Sequence, residues 1–161
     1  MSKFISMEDL NNEERNVKTL DEECSHLVNI ANNIIDKIIL SIDDSFVDNV
    51  NKRILMNADK KEYVVKIFEI SDRDNDITNY LSLDAIKYNH RFISCLHHFI
   101  LKKADTHLHP NHLDDLTMVD ILYAFRFRIH DAIKTRESDI KWKLKFGGMG
   151  NFKDIYLVFN W

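Results

Sequence analysis

The chain has 161 residues, of which 45% are hydrophobic and 30% are charged, and its formal net charge is −4. This length suits one domain with its own core, and the balance of apolar and charged residues excludes a disordered chain. The negative charge argues against nucleic acid as the main partner, because proteins that bind DNA or RNA use positive charge to neutralise phosphates. No stretch approaches the roughly 20 apolar residues that span a bilayer, and the N-terminus lacks the apolar core of a secretion signal. A cytoplasmic protein without membrane association is therefore expected.

The first element predicted along the chain is a long amphipathic helix that begins at Thr19. Thr19 and Glu22 have the spacing of a capping box, in which a hydroxyl and a carboxylate satisfy free N–H groups at a helix start. Apolar residues then recur with a helical period as far as Ile42. Residues 1–18 are polar and are expected to be frayed or loosely docked, so that 19–161 form the single globular domain.

The middle of the chain predicts two helices separated by polar loops and one segment of undecided structure. A second, weaker helix is predicted for 43–58. Residues 62–70 are rich in β-branched and aromatic residues that favour a strand, but their spacing also suits a helix, and both structures stay open. Polar loops are predicted at 71–79 and 103–115, with a helix between them at about 83–102.

The last part of the chain predicts one more helix and a β-hairpin. Thr117 and Asp120 form another capping box, from which a helix runs to about Lys134. The period of the apolar residues then changes to two on both sides of a glycine-rich turn, which is a hairpin pattern. On the first strand, apolar residues alternate with lysines: Lys141, Trp142, Lys143, Leu144, Lys145 and Phe146. The predicted fold class is α+β, mostly helical, with four to five helices and a C-terminal antiparallel hairpin.

The two cysteines and the cluster of histidines are the candidates for reactive or metal-binding chemistry. Cys24 and Cys95 lie within apolar helical patterns and are expected to be buried free thiols. Neutral imidazoles at short spacing can hold zinc. The alternative metal ligands are His97, His107, His109 and His112. Because no His-Glu-x-x-His motif or suitably spaced cysteine accompanies them, a histidine-rich polar loop is the favoured interpretation, and no cofactor is expected.

Arg91 and His97 resemble the spaced Arg and His of the HEPN ribonucleases. The resemblance implies a site in which the histidine acts as base and the arginine stabilises phosphate charge. A nuclease of this kind, or a metal-dependent one, is the alternative function. Two observations oppose it. HEPN domains are all-helical, whereas this chain is predicted to end in a β-hairpin. Arg91 and His97 also fall on nearly opposite sides of a straight helix.

The predicted hairpin turn carries a second resemblance. Residues 146–157 read Phe-Gly-Gly-Met-Gly-Asn-Phe-Lys-Asp-Ile-Tyr-Leu, which resembles a motif of small uncharacterised bacterial proteins, some of them similar to immunity proteins of toxin systems. The positions that match are Gly147, Gly148, Gly150 and Asp154. Asn151 and Lys153 depart from the motif. The resemblance implies no activity, and the glycines and Asp154 are expected to shape the turn, with the carboxylate binding free N–H groups.

The function expected from the sequence is binding and occlusion of another protein rather than catalysis. Complementary charge speeds association and aids selectivity, so acidic clusters on loops and helix ends favour a basic toxin or a host enzyme as the partner. The candidate contact residues are Asp43, Asp44, Asp48, Asp72, Asp74, Asp76, Asp114 and Asp115. An immunity-type protein and a phage-encoded inhibitor both fit, because the Asn-, Ile-, Lys- and Asp-rich composition suits an AT-rich bacterial or phage genome.

Overall fold

Helices and one antiparallel sheet build the fold. The computed structural model describes residues 2–104, 106, 108, 110, 112–147 and 153–161. The helices are α1 Met7–Ser41, α2 Asp44–Met56, α3 Asp72–Asn75, α4 Leu83–Lys87, α5 Asn89–Ala104, α6 Met118–Ala124 and α7 Arg126–Lys134. The strands are β1 Glu62–Glu69, β2 Lys141–Phe146 and β3 Asp154–Asn160, and short 3-10 turns lie at Ile77–Tyr80 and Leu113–Asp115. The predicted α+β class is confirmed.

Helix α1 begins well before the predicted position. The Ser6 hydroxyl accepts a hydrogen bond from the Asp9 N–H at 3.1 Å, and the Asp9 carboxylate accepts one from the Ser6 N–H at 3.3 Å, which completes a capping box. Thr19 lies in the helix interior, where its hydroxyl donates to the Arg15 carbonyl at 2.9 Å. The predicted start at Thr19 is wrong because the first turns of α1 bury almost nothing, so no apolar periodicity marks them.

The other helices match the predicted segments, with two unforeseen interruptions. The predicted second helix is present as α2, and Asp43 caps it by accepting from the Phe46 N–H at 2.8 Å. The predicted helix at 83–102 is two helices, α4 and α5, which meet at Tyr88. The helix after Thr117 is likewise divided into α6 and α7 at Phe125. No glycine or proline stands at either break, so nothing local in the sequence marks them.

The sheet contains the predicted hairpin and one more strand. Among the described residues the strand order is β1-β3-β2, and both pairs are antiparallel. The undecided segment 62–70 therefore forms a strand, with Tyr63 opposite Phe159 and Val65 opposite Leu157. The predicted polar loop at 71–79 contains α3 and a 3-10 turn, because Ser71 and Asp76 each cap a short run of backbone N–H groups.

The core joins the helices to one face of the sheet. Helix α1 packs against α5, α6, α7 and β1. Leu27, Phe92 and Ile129 from three helices are fully buried in the same cluster as Ile155 and Leu157 from β3. Cys24 is buried as expected, whereas Cys95 is only half-buried, and both thiols are free. Within the described residues, no helix combines the length and apolar character needed to cross a membrane.

Candidate functional site

Five of the candidate acidic residues lie in one region, which we call the acidic junction: Asp72, Asp74, Asp76, Asp114 and Asp115. Helix α3 contacts α6, and a β-bridge pairs Asp76 with Thr117. The Asn75 side chain adds a tie by accepting a hydrogen bond from the Val119 N–H at 3.0 Å. These contacts bring together two acidic segments that are distant in the sequence.

The carboxylates of the acidic junction differ in how they are used. Asp72 forms an ion pair with Lys153. Asp76 accepts hydrogen bonds from the Thr78 N–H at 3.0 Å and from the Thr78 hydroxyl at 2.6 Å. Asp74 is exposed, and its carboxylate interacts with Tyr80: burial raises the pKa of Tyr80 most, and Asp74 acts in the same direction. Asp114 and Asp115 are also exposed, and their carboxylates have no side-chain partner among the described residues.

The other three candidate acidic residues belong to α2 and lie in a different part of the fold. Asp43 caps α2, and Asp44 forms an ion pair with Arg136, which follows α7. Asp48 is exposed and, within the described residues, has no partner. The start of α2 thus presents one unpaired carboxylate from this set, against two at the acidic junction.

The structure does not bring Arg91 and His97 together. Both lie on α5, but Arg91 forms an ion pair with Glu13 of α1. His97 points to another neighbour, with its Nε2 atom 2.9 Å from the Pro110 carbonyl oxygen. The arginine and the histidine therefore contact different parts of the chain, and this arrangement gives no support to a shared phosphate site.

The candidate histidine ligands are only partly within the described residues. His107 and His109 lie outside them. His112 packs its ring edge-on against His90, with the ring centroids 5.7 Å apart, while His97 bonds to Pro110. In the described part of the chain, no three or more His, Cys, Asp or Glu side chains lie together as a metal site would require.

The hairpin turn has a buried carboxylate at its end. Gly147 has a φ of 72°, a conformation that glycine adopts without strain, and its N–H donates to the Asp154 carbonyl at 2.8 Å. Asp154 is 4% exposed, and its Oδ2 atom accepts a hydrogen bond from the Tyr156 hydroxyl at 2.9 Å, which raises the pKa of Tyr156. The described partner of the Asp154 carboxylate is thus the Tyr156 hydroxyl. The predicted bonds to the turn involve Gly148 and Gly150, which lie outside the described residues.

Two surface features were not predicted from the sequence. The first is an N-terminal arm, residues 2–16, whose large apolar side chains are exposed: Phe4, Ile5, Met7 and Leu10. The second is a cleft of about 540 Å³ beside β2, which we call the edge cleft. Its lining includes Arg126, Phe127 and His130 from α7 and Lys143 and Leu144 from β2. Only the tertiary fold places α7 beside β2, so no local pattern could reveal the edge cleft.

Comparisons with known proteins add no relative. The chain matches no protein-family model, no curated protein and no solved structure. The resemblances of residues 146–157 and of Arg91 and His97 therefore rest on those residues alone.

Proposed function

We propose that the chain is a binding protein that acts by contacting and occluding another protein, as immunity proteins and enzyme inhibitors do. The observation that carries this proposal is the acidic junction, where the exposed carboxylates of Asp114 and Asp115 have no partner among the described residues and Asp74 adds a third exposed carboxylate. A basic surface on a toxin or a host enzyme is the complementary partner. The resemblance of residues 146–157 to immunity-like bacterial proteins agrees with this class of function.

The anchoring of the acidic junction supports a binding role. The Asp76–Thr117 bridge and the Asn75–Val119 hydrogen bond fix the backbone on which the free carboxylates stand. A charged surface held in this way loses little conformational entropy when it meets a partner, so more of the attraction is retained as affinity.

The N-terminal arm gives the proposal an apolar component. Phe4 is fully exposed, and Ile5 and Met7 are 67% and 70% exposed, although they lie close together at the start of α1. Adjacent apolar side chains left in water are typical of surfaces that other proteins cover. Burial of such groups supplies affinity, whereas the carboxylates contribute mainly to the association rate and to selectivity.

The test uses co-purification from the native host followed by quantitative binding to the captured protein. We expect a protein with a basic contact surface whose own activity is lost in a stoichiometric complex with this chain. The double variant Asp114→Asn/Asp115→Asn should slow association by about tenfold at low salt, and the difference should shrink at high salt.

A matched variant controls for net charge. Asp59→Asn/Asp139→Asn removes the same charge from exposed positions outside the acidic junction and should change the association rate by less than about twofold. Equal effects of the two double variants would contradict the role of the acidic junction. A captured protein that keeps its full activity in the complex would contradict occlusion.

A further inference from the structure

Strand β2 is an edge strand whose free backbone groups can be assigned from the register. In an antiparallel pair, residues that exchange backbone hydrogen bonds alternate with residues that do not. The Gly147 N–H donates to Asp154, so the bonded positions on β2 are those in step with Gly147, namely Lys141, Lys143 and Lys145. The N–H and C=O groups of Trp142, Leu144 and Phe146 therefore point away from β3, toward the open edge.

The side chains of β2 divide by charge between the two faces of the sheet. Trp142, Leu144 and Phe146 are half-buried and pack toward the helices. The three lysines of β2 are exposed on the opposite face, and none of their ammonium groups forms an ion pair or a hydrogen bond among the described residues. They are Lys141, Lys143 and Lys145, and we call them the lysine row.

The edge cleft lies next to the free backbone groups of β2. Its described lining contains the Arg126 guanidinium and the ring of Phe127, which is 42% exposed, and it includes no acidic side chain. Arg126 is held over the ring of Tyr123, with its guanidinium carbon 4.0 Å from the ring centroid. One side of the open edge is thus an apolar and basic cleft, and the other side is the lysine row.

We infer that β2 binds an extended acidic segment of another protein, which adds to the sheet as a fourth strand. The backbone of that segment would pair with the free N–H and C=O groups of Trp142, Leu144 and Phe146. In antiparallel addition, its residues opposite these three share their face and enter the edge cleft, so small apolar side chains suit them. The alternate residues lie opposite the lysine row, where carboxylates give favourable cross-strand pairs.

This surface is distinct from the acidic junction and takes ligands of the opposite charge. Lysines on an edge strand are also known to discourage pairing between sheets. Lysines repel basic strands, and an apolar strand would have to bury their charge at a cost in desolvation. Neither effect opposes an acidic strand. The lysine row therefore selects among partners rather than blocking the edge altogether.

The first measurement is a titration with synthetic peptides, followed by hydrogen exchange of the β2 amides. The probe is a capped peptide that alternates Glu and Val, and the controls alternate Lys and Val or scramble the Glu and Val order. We expect the alternating acidic peptide to bind with a Kd below about 1 mM and the controls to bind at least about tenfold more weakly. Bound peptide should slow exchange at Trp142, Leu144 and Phe146 and leave exchange at Lys143 and Lys145 unchanged.

N-methylation of the peptide tests which of its backbone amides form hydrogen bonds with β2. N-methylation of the Val amides, which face β2 in the antiparallel arrangement, should abolish binding, whereas N-methylation of the Glu amides should preserve it. Because only the peptide changes, this test does not depend on whether a protein variant folds.

Charge reversal tests the lysine row. Lys143→Glu/Lys145→Glu should weaken binding of the acidic peptide by at least about tenfold, since like charges then face one another. The matched control Lys37→Glu/Lys60→Glu changes exposed lysines elsewhere and should leave the Kd within about twofold. Asp114→Asn/Asp115→Asn should also leave peptide binding unchanged, which separates this surface from the one under the proposed function.

Several results would overturn the inference. No binding of the acidic peptide at millimolar concentration is one, and protection of amides outside β2 is another. Tighter binding of a single-stranded oligonucleotide than of the peptide, with loss in Lys143→Glu/Lys145→Glu, would assign the lysine row to nucleic acid. Self-association that protects the same β2 amides without peptide would assign the edge to a second copy of the chain.

Discussion

The two thiols show how burial alone separates residues that look alike in the sequence. Cys24 is 1% exposed, and its Sγ atom lies 3.8 Å from the Phe92 carbonyl oxygen, toward which the thiol donates. Burial is the largest cause that raises the pKa of Cys24, and nearby acidic groups act in the same direction. Cys95 is half-buried, and its pKa is raised by the same causes, burial first and then Asp21. Neither thiol is poised as a nucleophile, because each is protonated at neutral pH.

The raised pKa of Cys24 predicts a loss of stability in alkaline solution. Above its ordinary pKa of 9.0 the unfolded thiol releases its proton while the native thiol keeps it. The native state then binds more protons, so the free energy of unfolding falls as pH rises through this range. From pH 8 to pH 10 the contribution of this one group is a loss of about 1 kcal/mol.

Urea unfolding of two variants isolates this contribution. Cys24→Ala should be less stable than the wild type at pH 8, because it leaves a cavity, but its stability should decline less between pH 8 and pH 10. Cys95→Ala is the comparison: the pKa of Cys95 is also raised, but its thiol is less buried, so its removal should reduce the alkaline decline by less than Cys24→Ala does. Parallel pH profiles for the wild type and Cys24→Ala would show that the native thiol ionises as readily as the unfolded one.

At the scale of elements, what the sequence predicted depended on whether the signal was local. The capping box at Thr117 and Asp120 and the alternation of 141–146 are local patterns, and both predictions are confirmed. The strand at 62–70 could not be decided, because its partner is β3, which lies at the other end of the chain. The acidic junction was found as separate residues, but its assembly depends on the contact between α3 and α6.

Helix α1 combines a shorter N-terminal part that buries almost nothing with a longer part that supports the core. Leu27 is completely buried, whereas Leu10 is 42% exposed on the N-terminal arm. The same substitution at the two positions therefore has different expected costs. Leu27→Ala should lower the free energy of unfolding by about 2–5 kcal/mol, because it opens a cavity in a packed core. Leu10→Ala should change it by less than about 0.5 kcal/mol.

Chemical denaturation of both variants checks this difference, and the partner identifies the role of the arm. If the N-terminal arm contributes to binding, Leu10→Ala should weaken the complex with the captured protein while leaving the stability of the free chain unchanged. A destabilisation from Leu10→Ala close to that from Leu27→Ala would mean that the arm is part of the folded core.

At the scale of the whole molecule, the two charged surfaces are built on one cooperative core. The fully buried Ile155 and Leu157 of the central strand β3 lie in the same cluster as Leu27 of α1 and Phe92 of α5. Neither the sheet nor the helices can bury these side chains alone. The acidic junction and the lysine row therefore have a fixed relation only while the entire core is intact.

The sheet and the helices are consequently expected to unfold together. Trp142 packs against His130, with ring centroids 4.8 Å apart, and the Trp161 indole N–H donates to the Ala58 carbonyl at 3.1 Å, so tryptophan fluorescence reports the sheet and its contacts. Circular dichroism at 222 nm reports mainly the helices. The two signals should give the same urea midpoint, and Leu157→Ala, at a site 1% exposed, should lower both midpoints equally. A fluorescence transition at lower urea than the loss of helix would show that the sheet unfolds first. The lysine row and the acidic junction would then belong to parts of the chain that unfold independently.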